Sequence, residues 1–182
     1  FPYLPRGRDI LYVDQDNEFI KEARKLLKTS GCIKQPTSAV IVKNEKIIGE
    51  GTNAGKKVDV CPRVTNNCPT GTGYEFCKSV CNQEGHAEIM AIRSALQNDS
   101  DLAGCDLYLE GHWWVCKDCW DNIIKVGIKN VFLRRDSTKL YKNNNREDKG
   151  MIKSKEVKRT FWNTVTKTLP WGYKGTIHWD YN

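Results

Sequence analysis

His86, Glu88, Cys116 and Cys119 are the residues of this chain whose types and spacing could do chemistry. They stand in the short runs Gly85-His86-Ala87-Glu88 and Cys116-Lys117-Asp118-Cys119. The set offers one imidazole, two thiols and one carboxylate that is not needed as a ligand. Neutral imidazole and thiolate are donors that Zn²⁺ prefers, and three protein ligands leave a fourth position open for water. Zinc makes hydroxide available near neutral pH. Glu88, two residues after His86, is near enough to move protons beside the metal. Taken separately, the two halves have blander readings. A single C-x-x-C serves as a redox pair or half of a zinc knuckle, and His-Ala-Glu suits the start of a surface helix.

The elements around these residues favour the joint reading. A helix is expected to start at His86, with Ala87, Ile89, Met90, Ile92, Ala95 and Leu96 as apolar positions and Asn98-Asp99-Ser100 at its end. A second, shorter helix is expected over Lys117–Val126, closed by Gly127. Both half-sites then sit at helix N-termini facing one edge of a sheet, where the helix dipole favours thiolate and hydroxide.

Upstream, residues 1–15 carry Pro2, Pro5 and Gly7 and read as an extended arm. A helix follows from Asp16 or Asn17 to about Ser30, with Phe19, Ile20, Ala23, Leu26 and Leu27 on one face. Residues 38–43 and 46–51 read as a β-hairpin turning at Asn44-Glu45. Strands are expected at 106–110 and 130–133, and the alternation of strand and helix implies parallel pairing after the hairpin. Residues 54–84 have little periodicity and hold Cys61, Cys68, Cys77 and Cys81. A loop of that length needs a function or a staple. Four thiolates on a structural zinc would supply one; disulfides or free buried thiols are the alternatives. Cys32 and Cys105, beside apolar stretches, read as small core residues.

The composition excludes several classes. Mean hydropathy is −0.61 and no apolar run reaches the length of a membrane span. The start lacks a basic segment followed by an apolar one, so no secretory signal is expected. Eight cysteines then fit a reducing, cytoplasmic setting with metal ligation better than a disulfide framework. The net charge of +7 suits an anionic partner, or solubility alone. Much of the excess lies in residues 134–174, a stretch that includes a helix expected over 155–166 and the start of an aromatic tail with Trp171, Tyr173, Trp179 and Tyr181.

H-x-E followed by P-C-x-x-C is the signature of zinc-dependent base deamination. With the hairpin ending Gly51-Thr52-Asn53, the segments Cys61-Pro62-Arg63 and Pro69-Thr70-Gly71, and Tyr74-Glu75-Phe76-Cys77, the chain resembles the cytidine and deoxycytidylate deaminase superfamily over residues 16–135. The Cys-bearing insertion makes it most similar to the deoxycytidylate branch. One departure is Val115 where the signature has proline. The resemblance implies a three-layer α/β/α fold with a mixed five-stranded sheet. Residues 1–135 are read as the deaminase domain with its Cys-rich insertion at 54–84, and residues 136–182, which have no counterpart in the family, as a basic, aromatic extension packed on it. The resemblance further implies one catalytic zinc on His86, Cys116 and Cys119, and usually a homo-oligomer.

Carried over by position, Glu88 is the proton shuttle, the Ala87 N–H holds the pyrimidine carbonyl, and a carbonyl near Val115 accepts from the amine. Asn53 is a sugar or base contact, or plain turn chemistry. Trp113 and Trp114 close over the base by stacking, or divide between core and lid. His112 is a support, a substrate contact or a core histidine. Arg63, Lys56 and Lys57 are candidates for a phosphate. The expected substrate is a free cytosine nucleotide. The alternatives are a base in single-stranded DNA or RNA, which the basic C-terminal region would track, and a zinc-stabilised interaction module without activity.

Overall fold

A computed structural model of the chain describes residues 2–53, 55–69 and 72–142. The helix and the aromatic tail expected beyond residue 150 lie outside the described residues.

Five strands form one mixed sheet in the order β1-β5-β4-β2-β3. They are β1 (Ile10–Val13), β2 (Ser38–Lys43), β3 (Lys46–Thr52), β4 (Asp106–Glu110) and β5 (Asn130–Arg134). The hairpin β2–β3 is antiparallel and turns through Asn44 and Glu45, both at positive φ. Parallel pairing holds for β4–β5 and β1–β5, but β4 pairs antiparallel with β2. The crossover from β3 therefore skips past β2, a step that alternation alone does not reveal. The arm is not wholly extended loop either. Its Ile10–Val13 stretch supplies the edge strand β1, which pairs with β5 more than a hundred residues later.

Alternating side chains divide the sheet into two buried faces. Ala39, Ile41, Leu107, Leu109, Val131 and Leu133 point to one core cluster. Val40, Val42 and Tyr108 point to the other. Helix α1 (Glu18–Leu27) covers the second face, with Ile20 and Ala23 inward. Its start is fixed by Asn17, whose Oδ1 accepts from the N–H groups of Phe19 and Ile20 at 3.1 Å. Helices α4 (Ala87–Asn98) and α5 (Lys117–Lys125) cover the first face. The insertion contributes the short α2 (Pro62–Thr65) and α3 (Tyr74–Ser79). The result is the three-layer α/β/α arrangement expected.

Helix α4 lies unusually close to β3. Its inward residues Ala87, Ala91 and Ala95 are fully buried, and the facing positions of the strand are Gly49 and Gly51. A Cβ at Gly51 would stand 2.2 Å from the Ala91 nitrogen and 2.5 Å from the Ala87 oxygen. Those are backbone atoms and cannot swing aside. Gly51→Ala is therefore expected to push out the start of α4 and cost about 1–3 kcal/mol or more, read as a lower denaturation midpoint by urea titration. Gly55→Ala, where an added Cβ would come no nearer than 3.1 Å to the Asn82 oxygen, is expected to cost less if this contact is the cause.

Candidate metal centre

Strands β3 and β4 run in the same direction, since each is antiparallel to β2. The chain leaves β3, passes through the insertion and enters α4 at His86. It leaves β4, turns through Gly111 at φ +85°, and enters α5 at Cys116. His86 and Cys116 are the N-cap residues of their helices, both with extended backbone (φ −73°, ψ 163° and 165°). Val115 in place of proline does not prevent this. Its fully buried side chain belongs to the core cluster under α5, which anchors the turn by packing instead of by a fixed φ.

His86 Nδ1 lies 3.4 Å from Cys116 Sγ and 3.5 Å from Cys119 Sγ. All three ligand atoms fall within 4.8 Å of one another, and no other group of three such residues does so among the described residues. Ideal Zn–S and Zn–N lengths at a tetrahedral angle give a ligand separation of about 3.6 Å. The trio is thus already spaced for zinc. Its electrostatics call for a cation too. Two sulfurs this close cannot both ionise unaided. The hydrogen bond from Cys119, with help from His86, brings Cys116 down to about 4, while Cys116 and burial push Cys119 up. A divalent ion takes the place of the proton the pair must otherwise retain.

Glu88 projects from the first turn of α4 and is only 4% exposed. Burial pushes its carboxyl up, against the opposing pull of His86 and of its own backbone N–H. A buried carboxylate with no fixed cation beside it is costly, and here it faces the metal-binding trio. The Ala87 N–H belongs to the helix end whose amides have no intrahelical acceptor.

The other expected site residues divide. Tyr74 of the insertion tilts against His86 with ring centroids 5.9 Å apart, and Arg63 stacks over Tyr74 at 4.6 Å. In the sequence, Tyr74 is signalled as a contact only by its place in the Tyr-Glu-Phe-Cys run. Trp113 and Trp114 are each 7% exposed, so neither is an open platform. Trp114 Nε1 donates to the Tyr3 carbonyl at 2.8 Å, and Trp113 stacks with His112. His112 Nδ1 lies 2.7 Å from the Trp114 oxygen and 3.1 Å from its nitrogen, so it braces the loop before Cys116. Asn53 ties three segments together. Its Oδ1 accepts from Ser30 Oγ and the Thr37 N–H, and its Nδ2 donates to the Gln35 carbonyl. Only the second Nδ2 hydrogen remains for a sugar.

The expected quartet of Cys61, Cys68, Cys77 and Cys81 lies within the insertion, with Cys61, Cys77 and Cys81 buried and Cys68 half-buried. Cys61, Cys77 and Cys81 line one cavity with Cys32. Cys68 follows the turn at Asn67 (φ 48°) and packs against Gly73, where an added Cβ would stand 2.6 Å from its Sγ. All eight cysteines are free thiols.

Residues 13–134 match the family described as the cytidine and deoxycytidylate deaminase zinc-binding region. The chain belongs to that family. This deaminase is also similar to solved structures. One is the dCMP deaminase of cyanophage S-TIM5 in apo form, at 22% identity over 70% of this chain and 89% of that one, TM-score 0.46. Another is guanine deaminase from Bacillus subtilis, at 29% identity over 65% and 62%, TM-score 0.40. A third comes from work on A-to-I editing by tRNA:A34 deaminases, at 20% identity over 68% and 81%, TM-score 0.41. Comparison with curated proteins gave no match. No helix among the described residues is long and apolar enough to cross a membrane.

For this deaminase, His86→Ala leaves two sulfurs of three ligands. The expected result is the loss of about one zinc per chain by elemental analysis, with no detectable turnover. Full zinc content in that variant would show that the ion sits elsewhere.

Proposed function

We propose that this deaminase converts a free cytosine nucleotide, dCMP above others, to the uracil nucleotide with release of ammonia. The observation that carries the reading is the insertion's position at the site: Tyr74 packs on His86, and the Arg63 guanidinium lies over the Tyr74 ring. A wall this close suits one nucleotide better than a continuing strand. Both tryptophans are buried, so neither offers the open stacking surface that single-stranded nucleic acid uses. The buried Glu88 weighs against an inactive module, which would gain nothing from that carboxyl.

Zinc held by His86, Cys116 and Cys119 would supply a nucleophilic water near neutral pH. The protein's own groups do the rest. Glu88 takes a proton from the water as oxygen attacks the amine-bearing carbon, and gives a proton to the adjacent ring nitrogen. The carbon–nitrogen bond then breaks, with a second proton passing through Glu88 to the departing amine, so that ammonia leaves and the ring keeps the oxygen as carbonyl. The Ala87 N–H holds the ring carbonyl in register, and the Val115 carbonyl accepts from the amine. The two sit on the two helix starts that also carry the metal ligands, so base and ion are aligned by the same backbone. Arg63 has donors to spare for a phosphate.

Purified protein offered dCMP, CMP, cytidine, dCTP and a cytosine-containing oligonucleotide should release ammonia fastest from dCMP. Deamination of the oligonucleotide with dCMP untouched would replace this reading with the nucleic-acid one. Glu88→Ala should keep its zinc and its fold while kcat falls by about 10²–10⁴-fold or more. Arg63→Ala should raise KM for dCMP about tenfold and change deoxycytidine turnover little. Equal effects on both substrates would remove Arg63 from the phosphate.

A further inference from the structure

Four cysteines from three separate stretches meet on one side of the insertion. Cys61 precedes α2, Cys77 and Cys81 lie four apart in and just after α3, and Cys32 comes from the turn between α1 and β2. Together they line a cavity with room for a sphere of about water size. Cys61, Cys77 and Cys81 are buried and Cys32 is half-buried. The thiols feel one another: after burial itself, Cys77, Cys32 and Cys61 push the Cys81 thiol up. The backbone around them is closely fitted. The Lys56 N–H donates to the Cys81 carbonyl at 2.9 Å, and the Gln83 N–H to the Cys77 carbonyl at 3.0 Å. A Cβ at Gly31 would lie 2.6 Å from the Lys56 backbone, so the turn that carries Cys32 is pressed against the insertion.

We infer that Cys32, Cys61, Cys77 and Cys81 bind a second zinc ion, in a four-thiolate site that fastens the insertion to the turn before β2. The donor set suits a closed structural site, with Cys77 in α3 and Cys81 in the turn that follows it. No three of these sulfurs fall within the 4.8 Å that spans the catalytic trio, so binding requires side-chain rotation to bring them onto the ion. Binding releases the four thiol protons to solvent and leaves excess negative charge on the sulfurs. The Arg63 guanidinium, which already acts on Cys77 and lowers its thiol against the effect of burial, offsets part of that charge. The same Arg63 stacks on Tyr74 beside His86. The second ion thus holds the wall of the active site without touching the chemistry, and the inference does not depend on which base is deaminated.

Elemental analysis of the purified full chain tests it. About two zincs per chain are expected for the native protein and for Cys68→Ser, and about one for Cys32→Ser. His86→Ala should lose the other ion and keep this one, which separates the second site from the catalytic reading. A native value near one, or equal losses from Cys68→Ser and Cys32→Ser, would overturn the inference. Should Cys32→Ser not fold, alkylation of the native chain decides. Cys32, Cys61, Cys77 and Cys81 should resist iodoacetamide until a chelator is added, while Cys68 reacts from the start. Labelling of Cys32 as fast as Cys68, or a disulfide at Cys32 in the unreduced mass spectrum, would rule the site out.

Discussion

Helix α4 rests on β3 with almost nothing between their backbones. Glycine on the strand and alanine on the helix remove every side-chain carbon larger than a methyl from the contact, and this sets the depth at which the first turn of α4 meets the sheet. His86 and Glu88 both stand on that turn. Their distance from Cys116 and Cys119, which arrive independently after β4, is therefore decided by van der Waals contact far more than by any polar interaction. A metal site needs its ligands placed to within a few tenths of an ångström. Close packing of backbone on backbone is a stiff way to provide that, because interiors at this density yield little.

The second consequence of that geometry is electrostatic. Two helix starts converge on one point, each with unpaired amides and the positive end of its dipole. The point can therefore hold thiolates, a carboxylate and a substrate carbonyl together. Cys116 is drawn to the ionised form even with only a neighbouring thiol and an imidazole for company. Glu88, shut away from water, leans toward its protonated form. Environments that drive two acids in opposite directions are how sites assign separate tasks to nearby groups.

Much of this was legible in the sequence because it is written in local patterns. The 3.6-residue spacing on α1, the turn at Asn44-Glu45 and the cap residues before α4 and α5 each sit within a few residues of what they specify. Val115 in place of proline did not mislead, since core packing substitutes for a locked dihedral. What failed to show was long-range. Nothing in Ile10–Val13 announces a partner at Val131–Arg134. Nothing near Cys32 points to Cys61 or Cys81, because their neighbourhood is created by the turn at Gly31 closing on Lys56. Asn53 reads as turn chemistry from its neighbours, and its actual use, binding Ser30, Gln35 and Thr37 with one amide, depends on where α1 ends in space.

The family match stops at residue 134, but the fold does not. Glu110, fully buried at the end of β4, receives Arg134 at 3.3 Å and also the hydroxyl of Tyr141, with Arg24 at 3.8 Å. Arg134 in turn is paired with Asp136, and Lys142 lies over Trp113 at 4.8 Å. A chain cut where the sequence likeness ends would keep the carboxylate and lose the phenol that caps it. It would also strip a cover from the loop that delivers Cys116. The described fold thus runs on to Lys142, which lies beside the loop leading into Cys116.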